Sequence, residues 1–527
     1  MKYHWIPLLL LFSADVTAFL SPSSNHRAVL SQKSNLNSFS NVIREKVTYT
    51  KLANTSVSIK DVILDEHDEQ GLLKSSAFVG LVTAAMGFFY GKVLSKSVQT
   101  VWTTIPQMIL QKFGSLDPRV FITTVCTLGG LSMGILSKKF PSAFTVADFV
   151  HSFSGDKVIP LPSSKTNLLP VLLLSLVTST FGFSVGPEAP MVCAGALIGS
   201  SIARYLYGST AIGIHETLAY AGAAGALTAF MGIPIAGSIF ALELTRANAG
   251  MTKSAGGALA PATMASIAAL ILIRGVFLPG KEVGGHFVYD AVGYLSGSAM
   301  IQTSVACGLI GGAIGTLFHK IVHFLKSFFW SQSNTQKSKS WKNPILVKSL
   351  IGLIVGLISV NYPQTLFWGE GSMQIVVDGQ KTAFASTKHG LSSALTSMAK
   401  VDPSIPFGSA SAALQVGIAK LVAIALACSG KFPGGIIFPL FFASGSIAHA
   451  IGLSMSNSIV PVIVFCLMGA TQASVTRTPL ATVLMLSLTA SSSSELSLLM
   501  PCCMISSYIG VFVSRFISKE SYFAYNE

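Results

Sequence analysis

A single acidic residue, Glu188, lies among apolar and small neighbours between Pro187 and Pro190. An ionisable side chain inside a membrane is costly, and such residues commonly belong to ion or proton pathways. At the beginning of a helix, the Glu188 carboxylate would occupy the position where a helix N-terminus attracts an anion. Protonation of this carboxylate, or its displacement by a permeant anion, would then open the path. The alternative is a helix-capping carboxylate with no gating role.

Two apolar stretches carry Gly and Pro together where a continuous helix cannot form. We call GFSVGPEAP (residues 182–190) the first break and GKFPGGIIFP (residues 430–439) the second break. A third, weaker interruption is KFPSAFT (residues 139–145). Each of the first two precedes a long apolar run, one in each half of the chain. Paired interruptions of this kind indicate a binding site at the interface of two structural repeats.

The breaks also predict the sign of the charge on the ligand. A helix that begins at such a break aims unpaired N–H groups, and about half a positive charge, at its N-terminal end. Several such ends would hold an anion, and no Lys or Arg occurs between Lys165 and Arg204. Partial charges permit release, whereas a full charge at the site would hold the anion too tightly for conduction.

The composition predicts the elements that position these residues. The 527 residues are 51% hydrophobic and only 11% charged, whereas soluble domains carry about 25% charged residues. A bilayer core needs roughly 20 apolar residues per helix, and charge-free stretches of about that length recur. We therefore expect an all-α polytopic membrane protein with on the order of a dozen helices, in one membrane domain at residues 75–518. Examples of such stretches are residues 168–187, 255–273, 291–318 and 462–476.

The net charge of +14 does not indicate nucleic-acid binding, because the basic residues concentrate in the N-terminal arm and in residues 320–348. That loop faces the cytosol or its topological equivalent under the positive-inside rule; a phosphate or lipid-headgroup site is the alternative. The seven Cys have no metal-like spacing. A zinc-protease motif fails because Ala219 stands where the second His after His215-Glu216 should be. We therefore expect that the protein is not an enzyme and that it has neither a metal site nor a cofactor.

The N-terminal residues resemble a targeting sequence. Residues 1–18 have the layout of a signal peptide, and residues 19–70 begin with a stretch rich in Ser, Thr and basic residues. Together they resemble the two-part presequence of proteins imported into complex plastids. We expect a plastid membrane, envelope or thylakoid; a secretory-pathway membrane is the alternative. Residues 519–527 form a C-terminal tail, and since the chain ends shortly after Tyr522, no nucleotide-sensing CBS domains are expected.

Four motifs together resemble the CLC family of chloride channels and proton-coupled chloride exchangers. GPEAP (residues 186–190) is similar to the family's G-[KR]-E-G-P, and GIIFP (residues 435–439) to its G-x-F-x-P. Residues 222–243 and 469–489 match in order and at family-like distances. The resemblance covers roughly residues 75–527. It implies an inverted-repeat fold with broken helices, chloride as the transported ion, and a homodimer with one pore per subunit.

The resemblance also assigns roles to matching positions. It implies that Glu188 is the gate, that Ile436 and Ile437 offer backbone N–H groups to the anion, and that Gly435 permits close approach. The other implied anion-site residues are Gly186, Ser142 and Tyr522, with Tyr525 as a competitor for the last role. The sequence departs from the family pattern in four places: the Ser142 motif keeps only its serine, Pro187 replaces a basic residue, Ala189 replaces Gly, and Ile437 stands at the usual Phe.

Leu244 bears on mechanism. Exchangers of the family relay protons through a second glutamate, usually directly after the position matched by Glu243, and leucine cannot carry a proton. We therefore expect a passive channel, with a proton-coupled exchanger on the same fold as the alternative. Glu243 itself is expected to be a structural, hydrogen-bonded carboxylate. A sodium-coupled transporter is the main rival outside the family, but the acidic residues or helix C-termini that a cation needs are not apparent.

Overall fold

A computed structural model describes the helices and their connections in sixteen stretches of chain. They are residues 66–141, 143–153, 161–208, 211–249, 255–279, 287–289, 292, 296–330, 343–370, 373–378, 407, 409–452, 455, 459–491, 494–518 and 522–523. Residues 66–70 form the start of the first helix, whereas Ser142, Tyr525, residues 1–65 of the two N-terminal segments and most of the C-terminal tail lie outside these stretches. The expectations for those residues therefore stay predictions.

Within these stretches the chain is helical, apart from connecting turns and two isolated β-bridges. We number the α-helices in chain order. They are α1 Glu66–Gln99, α2 Ile105–Phe113, α3 Pro118–Lys139, α4 Val146–Ser152, α5 Ser164–Thr180, α6 Glu188–Tyr207, α7 Ile212–Met231, α8 Ala236–Ala249, α9 Leu259–Leu272, α10 Gly297–Trp330, α11 Pro344–Asn361, α12 Met373–Asp378, α13 Ala410–Ser429, α14 Ile437–Gly452, α15 Val460–Thr476, α16 Pro479–Thr489 and α17 Leu496–Ile517.

Eight helical segments of the described part are long and apolar enough to cross a bilayer. Three further apolar helices, α14, α15 and α16, are shorter. The dozen spans expected from the sequence thus divide into full-length and short helices. The short ones survive because neighbouring helices, rather than lipid, surround them: α14 and α15 are buried along almost their whole length.

The helices after the two breaks follow the same plan. In the first half, α6 packs on α7 and α7 on α9; in the second, α14 packs on α15 and α15 on α17. The short helices α8 and α16 occupy equivalent places in the two series and pack against each other. This repetition confirms the expected inverted-repeat helical fold, with a broken helix at the start of each series.

Small residues bring α6 and α7 into backbone contact. A Cβ atom added to Gly195 would collide with the carbonyl group of Gly222, and one added to Gly199 with that of Leu218. Small residues drive helix association in lipid by allowing such close approach. The α6–α7 pair therefore forms a rigid support directly behind Glu188, the first residue of α6.

Candidate anion site

The two breaks are hydrogen-bonded to each other. The Gly186 N–H group donates to the Gly435 carbonyl oxygen at 2.8 Å, and the Gly435 N–H group donates to the Gly186 carbonyl oxygen at 2.5 Å. This antiparallel bridge satisfies backbone groups that an interrupted helix leaves unpaired, which is essential where no water is available. The bridge therefore brings Gly186 and Gly435, and with them the two breaks, together.

The Glu188 carboxylate lies over this bridge. Glu188 is completely buried, and a Cβ atom added to either Gly186 or Gly435 would collide with its carboxylate. Neither carboxylate oxygen is hydrogen-bonded to another described residue. Within electrostatic range of it are its own backbone N–H group, the carboxylate of Glu370 and the phenol of Tyr90. A buried acid without a cation or a donor side chain is costly, which favours a functional role over simple packing.

Two helix N-termini meet at the bridge. Helix α6 begins at Glu188 and α14 at Ile437, each two residues after a bridging glycine. The N–H groups of a first helical turn have no acceptor within the helix, and the two positive helix ends add there. Ile436 and Ile437 are both buried at this point. The arrangement can hold a small anion between two N-termini without a cationic side chain.

Residues around the first break fix its path. Gly182 has a φ of +82°, a left-handed conformation that favours glycine. The Trp102 indole N–H group donates to the Thr180 carbonyl oxygen at 2.7 Å, and its ring lies against Gly182. The Phe367 N–H group donates to the Gly182 carbonyl oxygen at 3.0 Å. The break is thus a defined structure, held from both sides.

Tyr522 lies near the second break. Its ring packs on Phe318 of α10, with ring centroids 6.3 Å apart, and faces the Lys326 ammonium group at 5.6 Å. It joins the apolar cluster that contains Ile436. Its phenol is within reach of Cys428, close to the start of the second break. The structure therefore brings Tyr522 to the second break, while its role as an anion ligand stays a prediction.

Glu243 connects α8 to α16. Its two carboxylate oxygens accept hydrogen bonds from the N–H groups of Leu480 and Ala481, at 3.1 and 2.8 Å. These N–H groups belong to the first turn of α16 and have no acceptor within the helix. Glu243 therefore caps a helix of the other half of the chain, the hydrogen-bonded arrangement expected from the sequence. The neighbouring Leu244 is fully buried.

The family model described as voltage gated chloride channel matches residues 129–511, which include both breaks, Glu188 and Glu243. The match covers well over half of the chain. The chain belongs to this family, the CLC proteins. Membership confirms the resemblance drawn from the four motifs, and it accounts for the inverted repeat seen in the helices.

Relatives and solved structures agree with this assignment. The chain is 24% identical over 381 residues to "Putative ion-transport protein YfeO" of Salmonella newport (strain SL254), covering 71% of this chain and 79% of the relative. A slow cyanobacterial Cl⁻/H⁺ antiporter has a similar structure, with a TM-score of 0.67, 16% identity, and coverage of 86% of this chain and 96% of that one. A CLC-type fluoride/proton antiporter gives a TM-score of 0.60 at 17% identity, covering 88% and 100%.

Sequence reasoning missed three residues around the first break. Glu370 and Tyr90 both lie within electrostatic range of its carboxylate, and Lys420 is buried beside the segment that supports the first break. Lys420 had a visible signal, because it is the single charged residue in the apolar run of α13. Tyr90 and Glu370 had none, since only the fold brings them to Glu188.

The cap formed by Glu243 can be tested by substitution. Glu243→Ala should lower the stability of the CLC domain by about 0.5–2 kcal/mol, as loss of a helix cap usually does. Glu243→Gln keeps one acceptor oxygen and should lose less. Thermal unfolding of the purified protein in detergent measures both effects. An unchanged unfolding temperature in Glu243→Ala would contradict the capping role.

Proposed function

We propose that this CLC protein transports chloride across a membrane and that Glu188 gates the path. The observation that carries the proposal is the position of the Glu188 carboxylate, over the glycine bridge and between the N-termini of α6 and α14. A carboxylate there takes the place that a small anion would otherwise occupy. Family membership supports chloride as the ion, and the absence of a cationic contact to Glu188 among the described residues supports rapid release.

The gate works by competition for the helix N-termini. When Glu188 is ionised, its negative charge interacts with the two positive helix ends and excludes a second anion. When Glu188 is protonated, the neutral acid no longer competes, and chloride binds the freed N–H groups. Backbone groups of Ile436 and Ile437, together with Ser142 and Tyr522, are the proposed ligands, with Gly186 and Gly435 allowing close approach. Chloride at high concentration displaces the ionised side chain in the same way.

We further propose that transport is passive. Leu244 cannot accept a proton, and the Glu243 carboxylate beside it is engaged by two N–H groups of α16. A proton arriving from the inner side would therefore meet no free carboxylate at this pair of positions. The second candidate is proton-coupled exchange. It is favoured by the likeness to two proton antiporters, the cyanobacterial Cl⁻/H⁺ antiporter and the CLC-type fluoride/proton antiporter.

Assembly and location follow from the family and from the N-terminal sequence. We propose a homodimer with one pore per subunit, which the mass of the purified protein in detergent would check. We also propose a plastid membrane, supported by the presequence-like residues 1–60. The alternative is a secretory-pathway membrane.

The plastid proposal predicts where a reporter goes. Residues 1–60 fused to a fluorescent protein should direct it into the plastid of an alga with complex plastids. A fusion of residues 1–18 alone should stop in the secretory pathway, because it lacks the second, transit-like part. Retention of the longer fusion in the endoplasmic reticulum would favour the secretory alternative.

The gate predicts the behaviour of Glu188→Gln. A glutamine resembles the protonated acid and cannot ionise, so chloride flux should continue with little pH dependence. Flux from vesicles loaded with chloride, measured with valinomycin between pH 5 and pH 8, checks this. Wild-type protein should conduct better at the acidic end. Glu243→Gln is the matched control and should keep the wild-type pH profile; an unchanged profile in Glu188→Gln would remove Glu188 from the gate.

Passive transport predicts no coupled proton movement. When a chloride gradient drives flux through wild-type protein in vesicles, the internal pH should not change beyond that of protein-free vesicles. A pH-sensitive dye inside the vesicles records this together with the chloride flux. Uphill proton movement in fixed proportion to chloride would show that the chain is an exchanger and that another route replaces Leu244.

A further inference from the structure

Lys420 is a buried cation in the middle of α13. It is completely inaccessible to solvent, and its ammonium group donates to four successive backbone carbonyl oxygens. The acceptors are Gln364, Thr365, Leu366 and Phe367, at 3.3, 3.1, 3.4 and 2.7 Å. The ring of Phe442 lies on another side, with its centroid 5.3 Å from the nitrogen. We call residues 363–367 the carbonyl loop.

The surroundings of Lys420 leave its positive charge without an acidic partner. All four hydrogen-bond partners are acceptors, and an ammonium group has three protons and no lone pair, so the set fits the charged form. No Asp or Glu is paired with Lys420 among the described contacts. Burying a cation at this depth costs free energy, and buried charges of this kind commonly have a functional role. Structural support alone could be given by a neutral donor.

The carbonyl loop connects Lys420 to the first break. The Thr365 carbonyl oxygen accepts a hydrogen bond from the Ser184 hydroxyl group as well as from Lys420. The Phe367 N–H group donates to Gly182, and Phe367 itself has a φ of +58°, which a bulky residue rarely adopts. Lys420 therefore holds a strained loop. That loop contacts two residues of the first break, Gly182 and Ser184, and the break leads to Glu188.

The carbonyl loop also leads to Glu370. The Trp368 indole N–H group donates to a Glu370 carboxylate oxygen at 2.9 Å, and Glu370 is the acid within range of Glu188. Gly369 lies against the same Phe442 ring that faces Lys420. Lys420 thus supports the segment that contacts the first break. The same segment continues to Glu370, the second acid near Glu188.

We propose that Lys420 is a positioning residue for the Glu188 gate: it holds the first break through the carbonyl loop, and the position of the break in turn sets the pH at which the gate opens. The inference rests on the proposed gating function and adds a residue outside the CLC motifs.

Other charged and titratable groups lie on the helices packed around these two residues. Glu370 and Tyr90 face Glu188. On the helices packed against α6, Asp148 caps α4 through Thr145, and α7 carries the buried Glu216. On those packed against α13, Lys348 donates to the Lys431 carbonyl oxygen, Lys326 faces Tyr522, and His449 lies near Phe407.

The test is the pH midpoint of chloride flux in vesicles. Lys420→Met removes the ammonium group that holds the carbonyl loop, with little change of volume, so the first break should no longer fix the position of Glu188 and the midpoint should move by about one pH unit. Glu370→Gln removes a negative neighbour and should move the midpoint down. Lys420→Arg keeps a cationic donor for the carbonyl loop and should stay near wild type.

The Glu188→Gln background separates gating from folding. In that background Lys420→Met should change flux less than about twofold, because the group that it tunes is gone. A similar loss of flux in both backgrounds with an unmoved midpoint would overturn the proposal and leave Lys420 a structural residue. Should Lys420→Met fail to fold, Lys420→Gln retains only an amide donor pair for the four carbonyl groups and should move the midpoint in the same direction; an unmoved midpoint there overturns the proposal too. Wild-type protein that carries no chloride at all would instead refute the proposed function.

Discussion

The exchange of two backbone hydrogen bonds between Gly186 and Gly435 is the contact on which the site depends. A helix interrupted inside a bilayer exposes N–H and C=O groups that lipid cannot satisfy. Here each break supplies the partners of the other, so neither can exist alone. The bridge also places the start of α6 beside the start of α14. The same constraint that makes the breaks tolerable thus creates a positive region where an anion can bind.

Two buried charges are arranged around this bridge without pairing. Glu188 lies directly over it, and Lys420 lies behind the first break, on the far side of the carbonyl loop. A direct salt bridge would neutralise both and fix the carboxylate in place, and a fixed carboxylate could not leave the path. Separation by a layer of backbone leaves the acid free to move, while Lys420 holds the carbonyl loop that contacts the first break.

The position of the breaks and the place of Glu188 at a helix N-terminus could be predicted, because both depend on local sequence. Gly and Pro in an apolar run have few structural explanations, and a lone acid in such a run has fewer. Glu243 was assigned a structural role for a similar reason, although its partners, the N–H groups at the start of α16, could not be foreseen. Lys420 shows the limit most clearly: its acceptors are backbone carbonyl groups more than fifty residues away, and carbonyl groups leave no trace in a sequence. Ser142 and Tyr522 depend on a resemblance, and only Tyr522 could be placed.

The two breaks are equivalent in the fold but not in chemistry. Glycine and proline recur at the same spacing in both, as Gly186 with Pro190 and Gly435 with Pro439, and this pairing puts Glu188 and Ile437 at equivalent helix starts. One half therefore offers an N-terminus together with a titratable side chain, and the other offers an N-terminus alone. An anion between them meets a competitor on one side and only backbone donors on the other. Because the competitor can be protonated and the donors cannot, the proposed gate responds to proton concentration through the first half of the chain, while the second half would provide affinity that does not vary with pH.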